Sequence, residues 1–326
     1  MKRTELMKKE KKKGRLLWGF LYAGAFIVSF AVSAVIKMTY SPLSGKVHVD
    51  WSGSVGRVYT DIPYGEGDAN KFDLYVPAET GKESYGLVVY LHAGGFTSGD
   101  KSGDSDMLKW LCSKGYVAAG INYTLFSDDH PEASVYSQSL EIKRSIAFVK
   151  EEAENLGYPL DRMAISGGSA GGCLALIYAY RDAKDSPIPV KMVFEMVGPS
   201  SFYPEAWGTY GLDQSPEAAA ELFSVMSGNP ITADMIGTAA FEDAVRDISA
   251  FMWIDENSVP TLCAYGVHDR VCPFGTVRHL TGALEAHHVP YDYFEFPHSG
   301  HGLQNDNRIY AQFLDKLNEY LDTYLK

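Results

Sequence analysis

The chain of 326 residues is 46% hydrophobic and 13% aromatic, which excludes a disordered protein and suffices for one large core or two modest ones. Its formal net charge of −12 is uneven: the first 15 residues carry eight basic and two acidic side chains, and the rest has a net charge of −18. So acidic a body repels a phosphate backbone and argues against nucleic acid as the main partner. Four scattered cysteines without a CxxC pair argue against a disulfide scaffold and a structural zinc site.

Lys8, Lys9, Lys11, Lys12, Lys13 and Arg15 precede an uncharged run over residues 16–36. As a helix rising ~1.5 Å per residue, that run spans the ~30 Å of a bilayer's hydrocarbon. It predicts a membrane anchor at 16–36, a basic cytoplasmic segment at 1–15, and a body at 37–326 outside the cytoplasm. The competing reading is a signal sequence, cleaved near the small residues Val32 and Ala34, which leaves a secreted protein.

Beyond residue 40 strands and helices alternate. Residues 72–76 (FDLYV), 86–91 (GLVVYL) and 116–121 (YVAAGI) read as strands, the second apolar enough to be covered on both faces. A helix is expected at 104–113 and another at 134–155, closed by Gly157 and Pro159. A short strand (162–166) leads into an apolar helix (171–180), and residues 190–197, 261–265 and 291–296 supply further strands. Residues 274–287 and 309–325 are amphipathic helices. The alternation predicts an α/β fold with a mostly parallel sheet and helices on both faces. Residues 200–255 interrupt it with Trp207, Tyr210, Phe223, Met226, Phe241, Phe251 and Trp253, read as a helical insertion over one end of the sheet. Its aromatic residues are either substrate walls or ordinary packing.

Gly167-Gly168-Ser169-Ala170-Gly171 satisfies G-x-S-x-G between a strand and a helix. A nucleophile raised on a strained turn needs small neighbours on either side, and the helix N-terminus beneath it favours developing negative charge. A Gly-rich turn without chemistry is the bland alternative, weakened by this setting. His92-Ala93-Gly94-Gly95-Phe96 follows the apolar strand, and Gly94 and Gly95 leave room for backbone N–H groups to form an oxyanion hole with that of Ala170. Asp269 follows strand 261–265, and His301 follows strand 291–296 in HSGHG. The order Ser169, Asp269, His301 supplies a nucleophile, an orienting acid and a general base, each just past a strand end. His268 and His298 are the decoys.

These stretches, with SGDKSGD (98–104) and GYVAAGINYTL (115–125), resemble the α/β-hydrolase superfamily, specifically its esterase/lipase branch with an HGGG-type oxyanion motif. The body is also similar to bacterial carbohydrate- and feruloyl-type esterases of that branch. The resemblance runs from about residue 71 to the C-terminus. It implies Ser169 as nucleophile, Asp269 as acid, His301 as base, and Gly94, Gly95 and Ala170 as oxyanion donors. Ala93 departs from it, standing where the motif usually has its first Gly.

The expectation is a serine hydrolase that cleaves carboxylic esters of short-chain acyl, or acetylated or feruloylated carbohydrate, type through an acyl-enzyme, with no cofactor and no metal. The alternatives are an acyltransferase using the same triad and an inactive binding module on the same fold. Trp207 and Phe223 are the expected substrate-pocket walls. The four cysteines read as buried thiols, with a Cys263–Cys272 bond as the other possibility outside the cell.

Overall fold

The apolar run GLVVYL becomes the centre of the sheet. In β3 (Tyr85–Leu91), Leu87, Val89 and Leu91 enter one core while Val88 and Tyr90 enter the other. A strand buried on both faces needs this unbroken apolarity. In the computed structural model, which describes residues 47–326, β3 lies in an eight-stranded sheet. The other strands are β1 (Gly56–Pro63), β2 (Lys71–Pro77), β4 (Val117–Ile121), β5 (Leu160–Gly168), β6 (Val190–Met196), β7 (Thr261–Gly266) and β8 (Tyr291–Phe296). Their order is β1-β2-β4-β3-β5-β6-β7-β8. β2 runs antiparallel to β1 and β4, and all other neighbours are parallel. The expected anchor at residues 16–36 lies outside the described residues. Among those described, no helix is long and apolar enough to cross a membrane.

Helices cover both faces. α1 (Ser105–Ser113) and α7 (Asn307–Tyr324) pack Leu108, Leu111, Phe313 and Leu317 into the core that contains Val88. On the opposite face, α2 (Val135–Asn155), α3 (Ala170–Ile177) and α6 (Thr276–Ala286) bring Ile142, Ile146, Leu174, Leu176, Leu280 and Leu284 against Val89. Each such side chain, fully buried, contributes ~1.5–3 kcal/mol. α2 starts where the Ser134 hydroxyl accepts the Ser137 N–H and the Ser137 hydroxyl accepts the Ser134 N–H, a reciprocal cap of ~1 kcal/mol. It ends at Gly157, whose φ of +88° lets the Tyr158 N–H turn back to the Ala153 carbonyl. α3 stops at Ile177, earlier than expected, and passes into a π turn over Tyr178–Asp182. There the buried Arg181 donates to the Ser139 hydroxyl and to the Asp247 carbonyl, tying α2 to the insertion.

Strand β1 escaped the sequence reading. It is an edge strand bonded to β2 alone and is mostly half-exposed, so it has no apolar run to betray it. The insertion between β6 and β7 is helical, as expected. α4 (Pro216–Ser227) has Ser215 as N-cap, Pro216 in its first turn and Gly228 at φ +74° beyond its end. α5 (Ala239–Val245) follows, and 3-10 turns flank both. Most of the insertion's aromatic residues are packing. Phe223 is fully buried against Phe202, Trp207 and Phe241, which corrects its expected place in a pocket wall. All four cysteines are free and buried, Cys263 and Cys272 included.

Candidate active site

Strand β5 delivers Ser169 to the C-terminal edge of the sheet in a backbone conformation that few side chains adopt. Its φ is +53° and ψ −119°, and its N–H donates to the Met196 carbonyl at 2.8 Å. That conformation costs ~1–3 kcal/mol and persists only where the surroundings enforce it. Two glycines do so. A Cβ at Gly167 would lie 2.4 Å from the Gly171 carbonyl carbon, and one at Gly171 would lie 2.0 Å from the Leu91 carbonyl oxygen. The tight turn thus admits only glycine at both positions, and Ser169 is left 9% exposed at the start of α3.

The loop after β7 carries Asp269 and the loop after β8 carries His301. Asp269 Oδ1 accepts the N–H groups of Val271 (2.8 Å) and Cys272 (3.0 Å), which fixes the carboxylate and leaves Oδ2 for His301. Nδ1 of His301 lies 2.7 Å from Asp269 Oδ2, and Nε2 lies 2.8 Å from Ser169 Oγ. A carboxylate only accepts, so Nδ1 carries the ring proton and Nε2 is free to accept from the serine hydroxyl. The three residues sharing the expected chain order are therefore in one hydrogen-bonded line. The Asp269 side chain is 1% exposed and that of His301 26%, so the acid is dry while the base meets the cleft.

The decoy histidines differ in setting. His268 is exposed, and its N–H donates to the Ser299 carbonyl. The His298 ring is 77% exposed and meets Asp306 at 2.8 Å. Asp306 also accepts the Ser299 hydroxyl at 2.6 Å and the His298 N–H at 3.0 Å. Burial alone raises its pKa, but these donors hold the carboxyl below its ordinary value. This knot anchors the loop that presents His301.

Of the expected oxyanion residues, Gly95 and Ala170 line the cavity beside Ser169, and Gly94 does not. Gly94 makes the turn. Its φ is +138°, its carbonyl accepts the Ser98 N–H at 3.0 Å, and a Cβ there would lie 1.8 Å from the Ser98 carbonyl oxygen. Gly95, at φ +60°, has nothing within 4 Å of its Cβ position, so a side chain there would meet open space. Below it His92 is buried, stacks on Tyr123 with ring centroids 4.3 Å apart, and has its pKa lowered by burial. Tyr123 donates to the His92 carbonyl at 2.9 Å, bracing the turn from beneath.

The cavity holds about 290 Å³. Trp207, one of the two expected walls, lines it together with Tyr210, Leu222 and Met226 of the insertion, and of these Leu222 was not among the residues the sequence singled out. Leu222 and Met226 are four apart and share one face of α4, while Phe223 points elsewhere. A further unforeseen residue is Glu195, fully buried in β6. One carboxyl oxygen accepts the Gly198 N–H at 2.7 Å, and the other has no hydrogen-bond partner among the described residues. Burial pushes its pKa up to about 8, against the lowering effect of Gly198 and Tyr265, which favours the neutral acid. Its sequence signal was a lone acidic residue inside the apolar strand VKMVFEM.

The BD-FAE family model matches residues 72–284. A probable carboxylic ester hydrolase, LipM, of Mycobacterium tuberculosis is 25% identical over 254 residues, covering 74% of this chain and 56% of that protein. Kynurenine formamidase of Salmo salar is 30% identical over 122 residues, covering 37% of this chain and 38% of that enzyme. The chain thus spans about half or less of the length of these curated relatives. Among solved structures, esterase B of Lactobacillus rhamnosis superposes with a TM-score of 0.63 at 20% identity, covering 91% of this chain and 93% of its own. A truncated carbohydrate esterase from gut microbiota gives 0.60 at 17% identity, over 83% of this chain and 98% of its own. At those identities the likeness is one of fold. The family match covers more than half of the chain, and the chain belongs to the BD-FAE family, with the α/β-hydrolase fold.

Proposed function

We propose that the protein is a serine hydrolase of carboxylic esters that works through an acyl-enzyme. The observation that carries this reading is the unbroken Asp269–His301–Ser169 hydrogen-bonded line beside a cavity floored by Gly95 and Ala170. Ser169 Oγ attacks the ester carbonyl as Nε2 of His301 takes its proton, and Asp269 stabilises the imidazolium so formed. The carbonyl oxygen becomes an oxyanion beside the backbone N–H groups of Gly95 and Ala170, where fixed dipoles stabilise it without reorganising. Collapse breaks the ester C–O bond, His301 returns the proton to the departing alkoxide, and the acyl group stays on Ser169. Water, deprotonated by His301, repeats the sequence and releases the carboxylic acid.

Short-chain esters, including acyl groups carried on carbohydrate, are the substrates proposed. The names of the relatives, an ester hydrolase and esterases among them, support the ester bond as the target. The experiment is hydrolysis of an activated short-chain ester by the purified protein and by Ser169→Ala. The variant is expected to lose ~10⁶-fold in turnover; retention of more than a few per cent, with contamination excluded, would move the nucleophile elsewhere.

Placement of the domain outside the cytoplasm, anchored by residues 16–36 or released from them, is part of the same proposal. It is supported by the basic cluster ahead of that uncharged run. Protease added to intact, wall-stripped cells should degrade an anchored domain, and full protection would place it inside.

A further inference from the structure

The cavity beside Ser169 has a definite chemical character. Its walls are Phe96, Pro199, Trp207, Tyr210, Leu222 and Met226, with Val271 and Cys272 beside them, and among the described residues no charged side chain lines it. The few polar groups in these walls are already engaged. Trp207 Nε1 donates to the Ser201 carbonyl at 2.8 Å. The Tyr210 hydroxyl lies 2.9 Å from the Arg270 carbonyl and 2.7 Å from that of Val271, strapping the insertion to the loop of Asp269. The Cys272 thiol meets the Thr276 hydroxyl at 3.8 Å. Beyond the reaction centre, the walls therefore offer a ligand apolar contact and little else.

Geometry also says which half of an ester enters. The departing alcohol must lie beside Nε2 of His301, which protonates it. Gly95 and Ala170 line the cavity, while the His301 side chain is 26% exposed. The alcohol thus leaves along the exposed side of His301, and the cavity is left for the acyl chain.

Building on the ester-hydrolase reading, we propose that the preferred acyl group is an uncharged aliphatic chain longer than acetyl, with Leu222 and Met226 setting how long a chain is accepted. An acetyl group would leave most of the 290 Å³ unfilled, and each methylene that fills apolar space is worth ~10-fold or more in discrimination. A hydroxycinnamoyl group is disfavoured for the opposite reason. Its phenolic hydroxyl would lie against walls whose polar groups are already paired, and would gain no hydrogen bond from them. A charged acyl group would find no counter-ion.

The test compares kcat/KM of the full chain on 4-nitrophenyl acetate, butanoate, hexanoate and ferulate, which share one leaving group. The hexanoyl ester is expected to exceed the acetyl ester by ~10-fold or more, with the feruloyl ester below the butanoyl. Met226→Trp and Leu222→Trp, by occupying the cavity, should lower the hexanoyl-to-acetyl ratio ~10-fold. Alkyl fluorophosphonates of graded length, timed on the unaltered protein, supply the same comparison independently of how those variants fold, and inactivation should quicken with chain length. Acetyl equal to or faster than hexanoyl, or feruloyl faster than butanoyl, overturns the acyl-class assignment. Ser169 labelled by the fluorophosphonates but with that inverted order refutes this assignment alone. Failure of every ester together with an unlabelled Ser169 removes the underlying hydrolase reading as well.

Discussion

Gly171 sits against Leu91 so closely that a Cβ on it would lie 2.0 Å from the Leu91 carbonyl oxygen. The contact joins the start of α3 to the end of β3, and so sets the turn that holds Ser169 beside the loop that carries Gly95. Backbone meets backbone here, and neither side can give way cheaply. Gly171→Ala is expected to cost ~3 kcal/mol or more, in the range of overpacked cores. Gly95→Ala meets open space but keeps φ at +60°, a strain of ~1–2 kcal/mol. Urea unfolding of both variants should rank them in that order. Equal stabilities would mean the elbow is looser than this packing implies.

The two histidines of HSGHG are three residues apart and have separate duties. His301→Ala should be nearly inactive, because it removes the base 2.8 Å from Ser169 Oγ. His298→Ala and His268→Ala should keep measurable turnover, since neither ring meets Ser169 or Asp269. Steady-state kinetics on one ester decide it, and a dead His298→Ala with an active His301→Ala would reverse the assignment.

Glu195 makes stability depend on pH. Its folded pKa of about 8 stands above the ordinary value of 4.5. Between those values the native protein keeps a proton that the unfolded chain has released. Stability from this group therefore falls as pH rises from about 4.5 to about 8 and is level beyond. Glu195→Gln keeps an acceptor for the Gly198 N–H and has no proton to lose. Its stability relative to the parent should rise from pH 5 to pH 8 in denaturant titrations. A constant difference across that window would show that Glu195 is not the neutral acid described.

Phe223→Ala should destabilise the protein by ~3–5 kcal/mol while changing acyl preference little, because Phe223 faces Phe202 and Phe241 rather than the cavity. A shift in the hexanoyl-to-acetyl ratio without loss of stability would restore it to the pocket wall.

What the sequence disclosed follows from what local physics encodes. Ser169, Asp269 and His301 were legible because each follows a strand and the nucleophile is flanked by glycines that only a tight turn requires. Strand β1 was not, because a half-exposed edge strand has neither the apolar run of a central strand nor a clean alternation. The pocket wall was misread at one point for a geometric reason. Phe223 is the largest apolar residue of α4, but which face of that helix meets the cavity is decided by its tertiary partners, and Leu222 and Met226 hold that face. Gly94 and Gly95 look alike as letters, and only the fold separates the residue that makes the turn from the one that faces the cleft.

The most direct measurement is the mass of the protein quenched during turnover of an activated ester, followed by peptide mapping. The account predicts a transient adduct of one acyl group on the peptide containing Ser169, absent from Ser169→Ala and persisting longer in His301→Ala if it forms there at all. Turnover by the parent with no adduct under rapid quench, or an adduct on another residue, would contradict it.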